Sequence, residues 1–235
     1  EDVLDRIWSL LGQAVHSILE RAGGLGLTEQ RLYMPVEGWS LSGQFDRLVF
    51  SPQGTLQDYK VTSTWSALSP KADWESQLNV LAALCRYNGH DVSKLEIVAI
   101  FRDWSYAQAK RSHTYPQYQA ATIPIFLWAP ETADEYIKTR IFLHQQADKG
   151  FVQPCTDNER WYRGEDWALM KAGWISALRV MPTEQEAMEW AKKNGYTNDD
   201  DELKGITVVC RPGQYIRCER YCSVASVCPQ NLPKP

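Results

Sequence analysis

The chain of 235 residues has no apolar run approaching the about 20 residues that a bilayer-spanning helix needs. No signal-peptide pattern opens it. These absences argue against a membrane partner and set the expectation of a cytoplasmic protein. A basic excess is missing too: 25 Lys and Arg stand against 29 Asp and Glu, a formal net charge of -4. Strong unselective grip on nucleic acid rests on surplus cations that neutralise phosphates, so that class is disfavoured. An enzyme acting on nucleic acid is not excluded, because acidic metal ligands lower the count and bases can gather on one face. Candidates for such a face are Lys71, Arg86, Arg102, Lys110 and Arg111. There is no internal repeat. No cysteine precedes Cys85, and four of the six (Cys210, Cys218, Cys222 and Cys228) lie in the last quarter. Without a secretion signal, close-set cysteines point to metal binding before disulfides.

What is present is ordinary for a globular chain: 44% hydrophobic and 23% charged residues, enough to bury a sizeable core. Helical spacing of Leu4, Ile7, Trp8, Leu11, Val15 and Ile18 predicts an amphipathic helix over 2–22, its stripe facing the core, ended by Gly23 and Gly24. Strands are expected over 28–36, 39–50 and 54–63, with a Pro52-Gln53-Gly54 turn before the third. Ser69 and Pro70 read as the cap and first residue of a helix to Asn88. A buried strand over 95–103 pairs with 122–128, and Thr132 with Glu135 makes a capping box for a helix ending before Gly150. Helix, strands, helix, strand is the order of an α/β fold with a mixed central sheet flanked by helices. The texture changes after residue 150: a hairpin around Ala172-Gly173, a helix capped by Thr183 and Glu186, a strand at ITVVC, then CERYCSVASVC. The organisation read here is a core over 1–150 and an α+β subdomain over 151–235.

The segment 43–60, GQFDRLVFSPQGTLQDYK, carries the chemistry. Strand side chains alternate faces, so Asp58 and Lys60 point one way and Tyr59 the other. A hairpin can bring Asp46 beside them. Two carboxylates and an ammonium at one place suit a hard divalent cation next to a phosphate.

G-x-x-D, then D-x-K, then a helical glutamine resembles the PD-(D/E)XK nuclease superfamily. Within it, the chain looks like the RecB-like branch, which includes the CRISPR-adaptation exonucleases and many phage recombination nucleases. The matching residues are Gly43 and Asp46 in GQFD, Asp58 and Lys60 in DYK, His16 in LGQAVHSILE, Gln77 in ESQLN and Glu29 in TEQRL. Leu81 stands where the family pattern has tyrosine. The resemblance implies a restriction-endonuclease-like core and a Mg²⁺- or Mn²⁺-dependent deoxyribonuclease, an exonuclease of recombination, repair or phage DNA metabolism. It makes Asp46, Asp58, the Tyr59 carbonyl and His16 the metal ligands. Lys60 positions and helps deprotonate the attacking water, Gln77 orients the phosphate or the lysine, and Glu29 is the upstream acid. Implied partners are single-stranded DNA or duplex ends and a recombination or replication protein. The alternative is a nucleic-acid-binding module that keeps the fold without useful activity, docked in a larger complex.

Cys218-x3-Cys222-x5-Cys228 is soft-ligand spacing that needs one more thiolate. Several RecB-type nucleases hold an iron–sulfur cluster on three C-terminal cysteines and a distant fourth before the core. No cysteine stands there in this chain, so Cys155 is assigned as the fourth, closing a 4Fe-4S cluster or a Zn²⁺ site around a C-terminal cysteine-cluster subdomain. Cys85 and Cys210 are expected to be buried. FRDWSYAQAKRSHTYP mixes bases and aromatics, and Arg102, Trp104, Lys110 and Arg111 are its DNA-binding candidates, with Tyr106 and Tyr115 as further stacking surfaces.

Overall fold

The computed structural model describes residues 3–22, 24–50, 54–68 and 72–231. Gly23, Pro52, Gln53, Ser69, Pro70 and Lys71 lie outside the described residues, and so does the side chain of Leu4. The chain divides into two compact units, Glu1–Phe151 and Val152–Pro235. Among the described residues no helix is long and apolar enough to cross a membrane.

The first unit opens with α1 (Val3–Ala22). Its stripe does not meet the core as expected: Ile7, Trp8, Leu11 and Ile18 are exposed. Periodicity marks an apolar face without saying whether anything covers it. The helix instead meets the sheet at His16, whose ring stands edge-on to Tyr59. The strands β1 (Leu27–Val36) and β2 (Trp39–Val49) follow. Glu37 and Gly38 join them in a two-residue turn, both with positive φ (48° and 79°), the conformation that suits strand twist. After β3 (Thr55–Thr62) come the short α2 (Trp65–Leu68) and α3 (Ala72–Tyr87). The helix α3 stops before Gly89, which takes φ 80°. Next are β4 (Lys94–Phe101), the short α4 (Tyr106–Arg111), β5 (Ala120–Ile125) and α5 (Pro130–Asp148).

The five strands form one sheet in sequence order. Only β3 and β4 pair in parallel, because α3 carries the chain back across the sheet; the other neighbours are antiparallel. The result is an α/β unit with a mixed central sheet flanked by helices. Phe45, Leu48, Leu56, Leu95 and Ile97 from the strands pack against Trp74, Leu78, Leu84 and Cys85 of α3. Burial pushes the Cys85 thiol up to about 12, so it is an inert packing residue, as expected. A second cluster joins α3 to α5 through Ala83, Ala133, Ile137 and Ile141. The capping box expected at Thr132 is not the start of α5: Ala129 caps it and Pro130 opens it, using proline's preset φ.

The second unit contains β6 (Tyr162–Arg163), β7 (Asp166–Lys171), β8 (Arg179–Met181), α6 (Glu184–Lys193), β9 (Ile206–Arg211), β10 (Gln214–Tyr215) and α7 (Ile216–Arg220). The antiparallel order is β8-β7-β9, and β6 pairs with β10. Thr183 caps α6 by accepting the Glu186 N–H at 3.2 Å. The unit's core is small: Leu169, Ala187, Ala191 and Ile206. Cys210 is exposed, against expectation. It lies near the far end of an edge strand that α6 covers only at Ile206 and Val208.

Candidate active site

Register builds the site. Pairing runs Thr28 with Arg47 and Gln30 with Phe45, which sets Glu29 across from Asp46. Between β2 and β3 it ends at Arg47 with Gln57, one step short of setting Asp46 across from Asp58. Three acids therefore line up across three neighbouring strands. In the gap where the second ladder stops, the Tyr59 N–H donates to Asp46 Oδ2 at 2.6 Å in place of a backbone partner. Glu29 takes φ 50°, a left-handed conformation that is uncommon outside glycine. Gln44 Nε2 donates to its Oε2 at 2.6 Å, leaving Oε1 turned to the helix.

His16 of α1 completes this group. Its Nε2 lies 2.9 Å from the Tyr59 carbonyl oxygen, which can only accept, so Nε2 carries the proton. Its other nitrogen, Nδ1, is turned to two carboxylates. It faces Asp46 Oδ1 at 3.5 Å and Glu29 Oε1 at 3.7 Å. Ligand atoms of His16, Glu29 and Asp46 all lie within 4.8 Å of one another, the spacing of a metal ligand set. Two carboxylates and an imidazole nitrogen at this spacing suit a cation. Glu29, read in the sequence only as an upstream acid, stands in this set. Asp58 stands beside it: Gln77 Nε2 donates to its Oδ1 at 2.9 Å, and Lys60 Nζ lies 2.5 Å from Oδ2.

The electrostatics follow from this crowding. Burial, then the neighbouring Asp58 charge, pushes Asp46 up to about 6, against the Tyr59 N–H and His16. Burial also raises Asp58, and Lys60 counters it. Beside the group a cleft of about 400 Å³ is lined by Gly12, Gln13, His16, Ser17, Glu20 and Glu29.

The other candidates are placed differently. Arg102 lies with its guanidinium 4.2 Å from the centre of the Trp8 ring. Trp104 and Tyr115 are half-buried and internally bonded, not open stacking surfaces. Trp104 Nε1 donates to the Pro116 carbonyl at 2.8 Å, and the Tyr115 hydroxyl accepts from Ser105 N–H at 2.9 Å. Lys110 lies over Tyr106 at 4.7 Å, and Arg111 lines a separate cleft with Leu68 and Tyr115. Arg86 is paired with Asp134 at 2.9 Å.

In the second unit, Gln230 ties Cys155 to the C-terminal cysteines. Its amide accepts from Cys155 N–H at 2.8 Å and donates to the Cys155 carbonyl at 3.1 Å. Arg160 Nε donates to Cys218 Sγ at 3.4 Å. Among the described residues the cysteine sulfurs are not drawn into a set as tight as that of His16, Glu29 and Asp46.

Glu29, already expected as the upstream acid, takes its place by register. Counting back from the two-residue turn at Glu37-Gly38 sets it across from Asp46.

No family model matches the chain, and no curated protein does. A solved structure described as the crystal structure of SSO0001 is similar at 19% identity and a TM-score of 0.43, over 65% of this chain and 65% of that one.

Proposed function

We propose that the chain is a metal-dependent deoxyribonuclease of the PD-(D/E)XK superfamily, RecB-like, acting on DNA ends as an exonuclease. One observation carries the reading. Asp46, Glu29 and the His16 Nδ1 converge at metal-ligand spacing, beside an Asp58–Lys60 pair held by Gln77. Asp46 is pushed up to about 6 by burial and by another acid, the kind of perturbation that clusters at functional sites.

The residues present fit Mg²⁺ or Mn²⁺. Glu29, Asp46 and His16 would hold the ion, with Asp58 and the Tyr59 carbonyl as further oxygen donors. When bound, the ion supplies an activated water and charge for the in-line transition state. The chain's own groups do the rest. Lys60 brings positive charge to the phosphate and steadies the attacking water. Gln77 fixes the Asp58 carboxylate through one oxygen, leaving the other to Lys60.

The second unit fits a cysteine-bound cluster on Cys155, Cys218, Cys222 and Cys228. No residue in 152–167 or 207–231 is fully buried. Segments with so little core need a staple. An iron–sulfur cluster and a Zn²⁺ ion both fit four thiolates. Service in recombination, repair or phage DNA metabolism, beside a recombination or replication protein, follows from the same resemblance.

End-labelled linear and circular DNA, single- and double-stranded, tests the reading with Mg²⁺ or Mn²⁺. Linear DNA should be lost and circles spared, with at least about a hundredfold loss of rate in Asp58→Ala and Lys60→Ala chains. Equal digestion by the variants would overturn the assignment.

A further inference from the structure

We propose that Trp8 and Arg102 form a subsite that stacks an unpaired base of the DNA strand entering the metal site. This rests on the nuclease reading and adds where the substrate is held. Trp8 is 54% exposed although it lies on the apolar stripe of α1. The Arg102 guanidinium lies 4.2 Å from its ring centre, so one face of the indole is engaged and the remaining ring surface is presented outward. Arg102 is held in place from its backbone. Its N–H donates to the Thr62 carbonyl at 2.9 Å, at the end of the strand that carries Asp58 and Lys60.

Position links this pair to the chemistry. Trp8, Gly12 and His16 recur every four residues, so they run along one side of α1 at about 6 Å intervals. Gly12 sits between the two ends, and a Cβ built there would meet nothing within 4 Å. Gly12 and His16 line the same cleft of about 400 Å³. An open track thus joins an aromatic–guanidinium platform to the metal group across about 12 Å of helix, on the order of three stacked nucleotides. Aromatic faces take any base, and a guanidinium beside them takes the phosphate. A duplex keeps its bases paired and stacked, so the subsite selects a single strand.

The test measures kcat/KM of the full chain with Mn²⁺ on two substrates: a single-stranded oligonucleotide and bis(4-nitrophenyl) phosphate, a diester too short to reach Trp8. For Trp8→Ala the loss on the oligonucleotide should exceed the loss on the small diester by about tenfold. Trp8→Phe should recover most of it, and Trp8→Leu little. Equal losses on both substrates would mean that Trp8 acts only through the helix, and no loss would mean that no base stacks there; either overturns the subsite. Wild-type chain inactive on both substrates would overturn the nuclease reading itself, and the subsite with it.

Discussion

Asp46 is where the site's charges meet, and its titration has a definite sign. Its ordinary value of 3.8 is raised to about 6 in the fold. Between about pH 4 and 6 the folded chain therefore keeps a proton that the unfolded chain has lost. Stability of the metal-free chain falls as pH rises through that window, and the penalty is complete above it. Asp46→Asn removes the penalty and still accepts the Tyr59 N–H. We expect it to stabilise the metal-free chain at pH 7 by about 1–2 kcal/mol in urea unfolding, discounted from about 1.4 kcal/mol per pKa unit. A cation must displace the same proton. Calorimetric Mn²⁺ affinity should fall about tenfold per pH unit below 6 and level off above it. A flat profile from pH 5 to 8 would rule out Asp46 as the titrating ligand.

The elements explain why some site residues were legible and others were not. Asp58, Lys60 and Tyr59 follow from strand alternation alone. G-x-x-D marks Asp46 and the resemblance marks Glu29, but the pairing of Glu29 with Asp46 needs the register set by the Glu37-Gly38 turn, and the Tyr59 N–H on Asp46 needs the gap where the β2–β3 ladder stops. Helical periodicity places Trp8 on an apolar stripe but does not show what lies opposite it. Gly43 shows a motif residue with a packing cause. A Cβ there would lie 2.7 Å from Leu81 Cδ2 and 2.8 Å from Leu84 Cδ1, so α3 closes directly on β2. Leu81, the departure from the family's tyrosine, is one of the two residues that close this gap. Gly43→Val should cost about 1–3 kcal/mol in urea unfolding, through overpacking. Gly54→Ala should cost more, because its Cβ would meet the backbone carbonyl of Asp91 and not a side chain that can swing away. Equal stability of Gly43→Val and wild type would place α3 elsewhere.

At the scale of the molecule, the two units differ in what holds them. The first rests on a sheet packed by α3, and composition with element order made that α/β class readable. The second has five buried residues among those described, and long stretches with none. Its cysteine spacing was visible in the sequence, whereas the Gln230 bridge to Cys155 depends on long-range folding. With a cluster as its staple, Cys222→Ser should abolish the visible absorption of the purified chain and make the second unit sensitive to protease, while a fragment near residues 1–151 persists. Unchanged protease resistance would mean that the unit stands without a cluster. The central claim is that Asp46 and its neighbours hold a catalytic cation. Its most direct measurement is the release of acid-soluble nucleotide from linear DNA as Mg²⁺ is titrated, for the wild-type chain and for Asp46→Asn. The account predicts saturable, metal-dependent release by the wild type and almost none by the variant. Release without metal, or equal release by Asp46→Asn, would contradict it.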